Sequence, residues 1–248
     1  MLGWQIFMHS VRMVFGNLKQ VLQITLGPAI VATALLIGLF FVLDVPLDQL
    51  DADATEPSGS VILFFFGLAI IFIVTMFWIA VSWHRFILLE EYPRGLFPTF
   101  RFDRILAYLG RVLLIGLVMA LAFVPVSLVA ATVGASVLSL VLVAVFSVFL
   151  FICFYRLSII LPAAAIGQPL TLGEAWAKTV GSSGAIVVIV IAAAVFQFLI
   201  QLVISALAIV PVLGALLALF FGALVLPMIN VSILTTLFGV FAEGRELR

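Results

Sequence analysis

WHRFILLEEYPRGLFPTFRFDRILAYLGR, residues 83–111, is the one long charged stretch set between two apolar blocks, and it holds five of the chain's eleven Lys and Arg residues. On its N-terminal side Val61–Ser82 runs for 22 residues without a charge; on its C-terminal side Val112–Tyr155 runs for 44. At about 1.5 Å per residue the first block crosses a hydrocarbon core of about 30 Å once. The second, about 66 Å long as a single helix, has to fold into two crossings. A charged loop between one crossing and a folded pair defines a polytopic α-helical membrane protein, and the rest of the chain is read from that loop.

Composition points the same way. Of 248 residues, 66% are hydrophobic and 9% charged, against about 45–50% and about 25% in soluble domains. The fold class is all-α, with residues 1–248 as a single transmembrane domain. The formal net charge is zero, so the basic excess that a nucleic-acid partner requires is missing and none is expected. Cys153 is the only cysteine; it makes no intrachain disulfide or CxxC metal knuckle and reads as a small packing residue.

Upstream of the loop, Trp4, Phe7, Met8, Val11, Phe15 and Leu18 recur at helical spacing, which predicts an interfacial amphipathic helix lying on the bilayer over 4–19. The apolar run Val21–Leu43 follows as a first span, with Pro28 kinking it near its start. DVPLDQLDADATEPSG, residues 44–59, has five acids and no base. Asp44, Asp48, Asp51, Asp53 and Glu56 lack the EF-hand spacing, so a solvated, uncoordinated loop is expected. The second span continues through Trp83, whose amphipathic ring suits headgroup depth, and ends at Pro93 and Gly95.

Downstream, the small polar stretch Thr132–Ser136 is the natural turn within the 44-residue block, and Pro211–Gly214 breaks the second long uncharged block, Ala185–Ala242. Six spans are expected, at about 21–43, 60–89, 105–131, 137–161, 185–209 and 214–240. Every Lys and Arg then falls before the first span, between the second and third, between the fourth and fifth, or after the sixth. By the positive-inside rule both termini are cytoplasmic and the acidic loop lies outside.

Each of the three helical hairpins is expected to be preceded by an amphipathic cytoplasmic helix, at residues 4–19, about 99–110 and 171–182. Thr171-Leu-Gly-Glu174 has the form of a capping box, and Glu174 with Lys178 is a favourable i,i+4 pair. The run RLSIILPAAAIGQPLTLGEAW, residues 156–176, combines an arginine at a helix exit, a Leu-Pro and a capped EAW helix. It resembles the cytoplasmic signature of a broad group of bacterial six-helix membrane proteins that includes the membrane domain attached to some glycerophosphodiester phosphodiesterases. It is also similar to uncharacterised membrane proteins of alphaproteobacteria. The resemblance implies a fold and a bacterial inner-membrane location rather than an activity.

Candidate functional residues are few. Arg101, Arg104, Tyr108 and Arg111 are spaced three, four and three apart, on one helical face. That stripe is either an anionic-lipid or phosphate cradle or a snorkelling cluster that sets topology. His84, Arg85, Glu90 and Glu91 form the only group resembling acid/base equipment. Arg156, buried at a helix exit, calls for a partner, and Glu174 is the nearest acid. No metalloprotease, nucleophile-elbow, Walker or dinucleotide motif is present, so no catalytic residue, metal or cofactor is expected. No span has an ionisable residue near its centre, which removes the usual proton relay. Gln197 and Gln201 are the polar pair deep in a span, expected to bond between helices, and Gly214, Ala218 and Gly222 offer a close-packing face.

The favoured class is a non-enzymatic membrane protein that binds lipids, anionic ones in particular, or a membrane-protein partner through its basic face. A small transporter or channel for a neutral or hydrophobic substrate, and a lipid-modifying enzyme using His84, Glu90 and Glu91, are the alternatives.

Overall fold

The computed structural model describes residues 2–50, 58–93, 95–134, 136–207 and 210–247. All regular structure in them is helical: α1 Leu2–Gly16, α2 Leu18–Val42, α3 Gly59–Leu89, α4 Phe102–Val133, α5 Val137–Leu157, α6 Ile160–Ile166, α7 Leu172–Lys178, α8 Ser183–Leu207, α9 Pro211–Ala218 and α10 Leu226–Phe241. A short 3₁₀ turn occupies Leu47–Leu50, and a π-helical stretch, Leu219–Val225, joins α9 to α10. Six helical stretches are long and apolar enough to cross a membrane: Leu18–Val42, Gly59–Leu89, Phe102–Val133, Val137–Ile166, Ser183–Leu207 and Gly214–Phe241. No more than 28% of the most apolar window of any of them is buried inside the protein, so most of their hydrophobic surface needs an apolar solvent.

The turns lie where small or φ-restricted residues require them. Gly134 ends α4 at φ +71°, a conformation open to glycine, and the Ser136 side chain and the Ser139 side chain cap α5 reciprocally. Pro211 opens α9 in the first helical turn, where its missing N–H costs nothing. Pro28 and Pro125 lie within α2 and α4, which continue through them. Before Pro227 the backbone widens into the π-helical stretch, which accommodates the i−4 bond that proline cannot make. Residues 51–57 of the acidic 44–59 segment lie outside the described residues, as do the side chains of residues 48 and 50.

The core sits at one end of the bundle. α4 buries Ile105, Tyr108 and Ile115, all in its first half, and α8 buries Ile186 and Ile189 near its start. α10 buries ten residues between Met228 and Gly239. Around them gather Ile6, Trp83, Phe86, Ile160, Leu161 and Ala163 from α1, α3 and α6. Two close approaches set this packing: a Cβ on Gly3 would collide with the Ala185 carbonyl, and one on Gly27 with the Leu96 carbonyl.

Three expectations are corrected. The 99–110 segment is not a separate amphipathic helix; its residues from Phe102 onward are the first turns of α4, because the first residue after Phe102 that cannot donate to the backbone ladder is Pro125, well beyond the segment. The first helix does not merely lie on a surface, since its face of Gly3, Ile6, Phe7, Ser10 and Val14 is buried against α8 and α10. Trp83 is fully buried beside Phe86, with ring centroids 5.5 Å apart, and does not form an outward-facing belt.

Candidate functional site

All described basic residues lie at the packed end. Their dominant contacts there are the carbonyls that helix C-termini leave without intrahelical partners. Arg245 Nη2 donates to Leu88 O at the end of α3 (3.0 Å), and Arg85 Nη1 to Ala165 O at the end of α6 (3.1 Å). Arg156 Nη2 donates to Trp176 O in α7 (2.8 Å), and Lys178 Nζ to Ala242 O just past α10 (3.4 Å). Each contact joins two separate elements at the negative pole of a helix, where a cation is most favourable. This role was not visible in the sequence, because the acceptor is backbone and its owner lies 20 to 157 residues away.

The Glu91 carboxylate is held by two guanidiniums. Arg85 Nε donates to Oε2 at 2.8 Å, and Arg101 Nη2 to Oε1 at 2.9 Å. Burial pushes the Glu91 carboxyl up, but the hydrogen bonds and charges of Arg101 and Arg85 outweigh it and hold it below the ordinary 4.5. The arrangement leaves one net positive charge and ties the 90–101 loop to the end of α3. Glu90 is exposed and ends α3 with φ +56°.

His84 faces the other way, into the core. Thr235 Oγ1 gives its single proton to Val231 O (2.9 Å), so it accepts from the His84 Nδ1–H at 2.8 Å. In that tautomer Nε2 accepts from the Tyr108 hydroxyl, at a long 3.4 Å. A second buried polar contact, Ser10 Oγ to Thr236 Oγ1 at 2.9 Å, lies alongside and links α1 to α10. Thr235, Thr236 and Ser10 went unremarked in the sequence because adjacent Thr residues in a helix normally satisfy themselves on the i−4 carbonyl.

The predicted residues are therefore divided among three places. Arg85 and Glu91 come together; His84 and Glu90 join neither them nor each other, so the acid/base group suggested by His84, Glu90 and Glu91 is not assembled. Of the stripe, Arg101 is the N-cap residue of α4 and is shared with Glu91. Arg104 pairs with neighbouring Asp103 at 3.0 Å, and Arg111 Nη1 donates to Ala107 O at 3.1 Å. Tyr108 turns inward, 4% exposed, against Phe77 at 5.4 Å. The stripe is thus three partly exposed arginines around a buried tyrosine.

Arg156 does not meet Glu174. Its guanidinium lies 3.5 Å from the centroid of the Trp176 ring, with Nε donating to Thr179 Oγ1 at 3.1 Å. Glu174 is instead committed to the capping box: it accepts from Thr171 N and Thr171 Oγ1, both at 2.8 Å, and these bonds, the backbone one first, lower its pKa. A carboxylate at N3 reaches back to its own N-cap more readily than across to another helix. Gln197 and Gln201 are exposed and make no interhelical bond among the described residues.

Among the described residues no three His, Cys, Asp or Glu side chains are grouped to hold a metal ion. By helix length and hydropathy the chain is a multi-pass α-helical membrane protein. It matches no protein-family model, no curated protein and no solved structure.

Proposed function

We propose that this is a non-enzymatic protein of a bacterial inner membrane, laid out as three hairpins, α2–α3, α4–α5 and α8–α10, with α1 and α7 as interfacial helices. Its basic end lies in the cytoplasm, with both termini, and holds anionic phospholipid through Arg101, Arg104 and Arg111. The observation that supports this is the polarity of the chain: the nine described bases lie at one end of the bundle, and the sequence joining α2 to α3 has five acids and no base. Arg101 and Arg104 keep 39% and 37% of their side chains exposed, so both side chains are within reach of a headgroup. Arg85, Arg101, Arg104 and Arg111 less the paired Glu91 and Asp103 leave two net positive charges, which at about 1 kcal/mol each favour an acidic over a neutral headgroup by roughly 30-fold.

Reporter fusions after Arg248 and within residues 48–56 are expected to give opposite signals; the same sign from both overturns the topology. Replacing Arg101, Arg104 and Arg111 together by Gln is expected to strip phosphatidylglycerol and cardiolipin from the purified, correctly oriented protein. Unchanged retention reduces the stripe to a topology signal, and a co-purifying protein without bound lipid moves the reading to partner binding.

A further inference from the structure

A second lipid-sized feature lies away from the arginine stripe, between α1 and α8. Trp4, Met8 and Val11 form one row along α1, and Gln5, His9 and Arg12 form the row beside it. The apolar row, with Phe7, closes over Val188, Val195 and Leu199 of α8 to leave a groove of about 430 Å³ lined only by apolar side chains. The polar row, with Leu247 of the C-terminal tail at its rim, lines an adjoining pocket of about 280 Å³. Trp4 and Met8 belong to both, so the two are continuous. Each is near or within the roughly 300–1,000 Å³ of ordinary ligand sites.

The groove is built rather than incidental. The Gly3 backbone presses on Ala185, and four residues further on the rings of Phe7 and Phe196 meet edge to face at 5.9 Å, so glycine contact gives way to ring contact and space opens between the helices. From Val188 to Leu199 the groove follows α8 for about 16 Å, about half of a hydrocarbon core of about 30 Å. Its polar end lies at the basic end of the bundle. Arg12 is exposed, and among the described residues it has no acidic partner and no acid lines the pocket.

We propose that the α1–α8 groove binds one anionic phospholipid, an acyl chain along α8 and its phosphate at Arg12 and Gln5. The orientation of that lipid rests on the reading above that the basic end lies at headgroup depth; the arginine stripe is not involved. The groove of about 450 Å³ between α2 and α3 has no charged lining residue and serves as an internal control, because it accepts acyl chains without selecting a headgroup.

The test uses the full chain in vesicles containing phosphatidylglycerol or phosphatidylcholine with a photoreactive acyl chain, and maps labelled peptides by mass spectrometry. Phosphatidylglycerol is expected to label residues 4–11 and 188–199 about fivefold more than phosphatidylcholine, the ratio for one interfacial base, and to label residues 31–78 no more than phosphatidylcholine does. Arg12→Gln, at an exposed position, is expected to remove the preference at α8; Ala192→Trp, which fills the groove, removes labelling by both lipids. The Arg101/Arg104/Arg111→Gln variant is expected to keep the groove preference, so failure of the stripe and failure of the groove read out separately. Equal labelling by both lipids in wild type, or a preference that survives Arg12→Gln, overturns the proposal.

Discussion

Truncating Arg156 to alanine removes two hydrogen bonds and a ring contact between α5 and the α7 segment. Arg156 is 8% exposed; its guanidinium stacks on Trp176 at 3.5 Å and donates to Trp176 O and Thr179 Oγ1. Hydrogen bonds from a charged donor contribute about 1.5–3 kcal/mol each, and a partly desolvated cation–π contact about 1–2 kcal/mol. Against this, removing the charge recovers the desolvation that burying it cost, several kcal/mol. Thr179 Oγ1 keeps its bond to Ala175 O and its 3.3 Å contact with Trp176 O, so neither acceptor is left without a partner. The balance is a loss of about 3 kcal/mol, or roughly 6–12 °C in the melting temperature of a chain this size. Thermal unfolding in a mild detergent, followed by near-UV circular dichroism, measures it, with exposed Arg12→Ala as reference. A double-mutant cycle with Trp176→Ala isolates the stacking, expected at about 1 kcal/mol of coupling. If Arg156→Ala melts with Arg12→Ala and the coupling is within error of zero, the buried clamp is not a structural element and the contact geometry has been misread.

Two further outcomes follow from the same end of the molecule. Because Glu91 has its carboxyl pKa held below the ordinary value, its clamp stabilises the fold above pH 4.5, and that contribution is lost as pH falls through the lowered folded value. Melting curves between pH 7 and pH 3 are expected to lose part of their acid dependence in Glu91→Gln, and an unaltered dependence would discount the clamp. Gly27→Ala drives a Cβ into the Leu96 carbonyl, whereas at Gly67 the Cβ meets only the Leu39 side chain. The first is expected to cost about 1–3 kcal/mol by overpacking and the second much less; equal melting temperatures would contradict the packing of α2 on the 93–101 loop.

The six membrane-length helices and the turn at Gly134 and Ser136 were legible in the sequence because they depend on quantities local to the chain, whereas the break expected at Pro211–Gly214 is helical, since Pro211 opens α9. An uncharged run of 44 residues is too long for one crossing wherever it sits, Gly134 and Ser136 carry their turn chemistry with them, and the Thr171–Glu174 box closes within a single helical turn. The one-sided distribution of Lys and Arg is equally a property of the linear order. None of this requires knowing which helix touches which.

The assignment of partners was settled only by the tertiary structure. Arg101, Arg104, Tyr108 and Arg111 share a helical period, yet the period says nothing of what stands opposite each, and Phe77 and His84 draw Tyr108 inward while Glu91 takes Arg101. Arg156 was matched to the nearest acid in sequence, but a guanidinium is satisfied equally by a ring face and a helix-end carbonyl, and α7 offered both through Trp176 while Glu174 was already spent on its cap. In a chain with so few charges, four of the nine described Lys and Arg side chains find backbone acceptors on other elements. Backbone carbonyls are the same at every residue, so only the packing of one helix end against another determines which of them an arginine reaches.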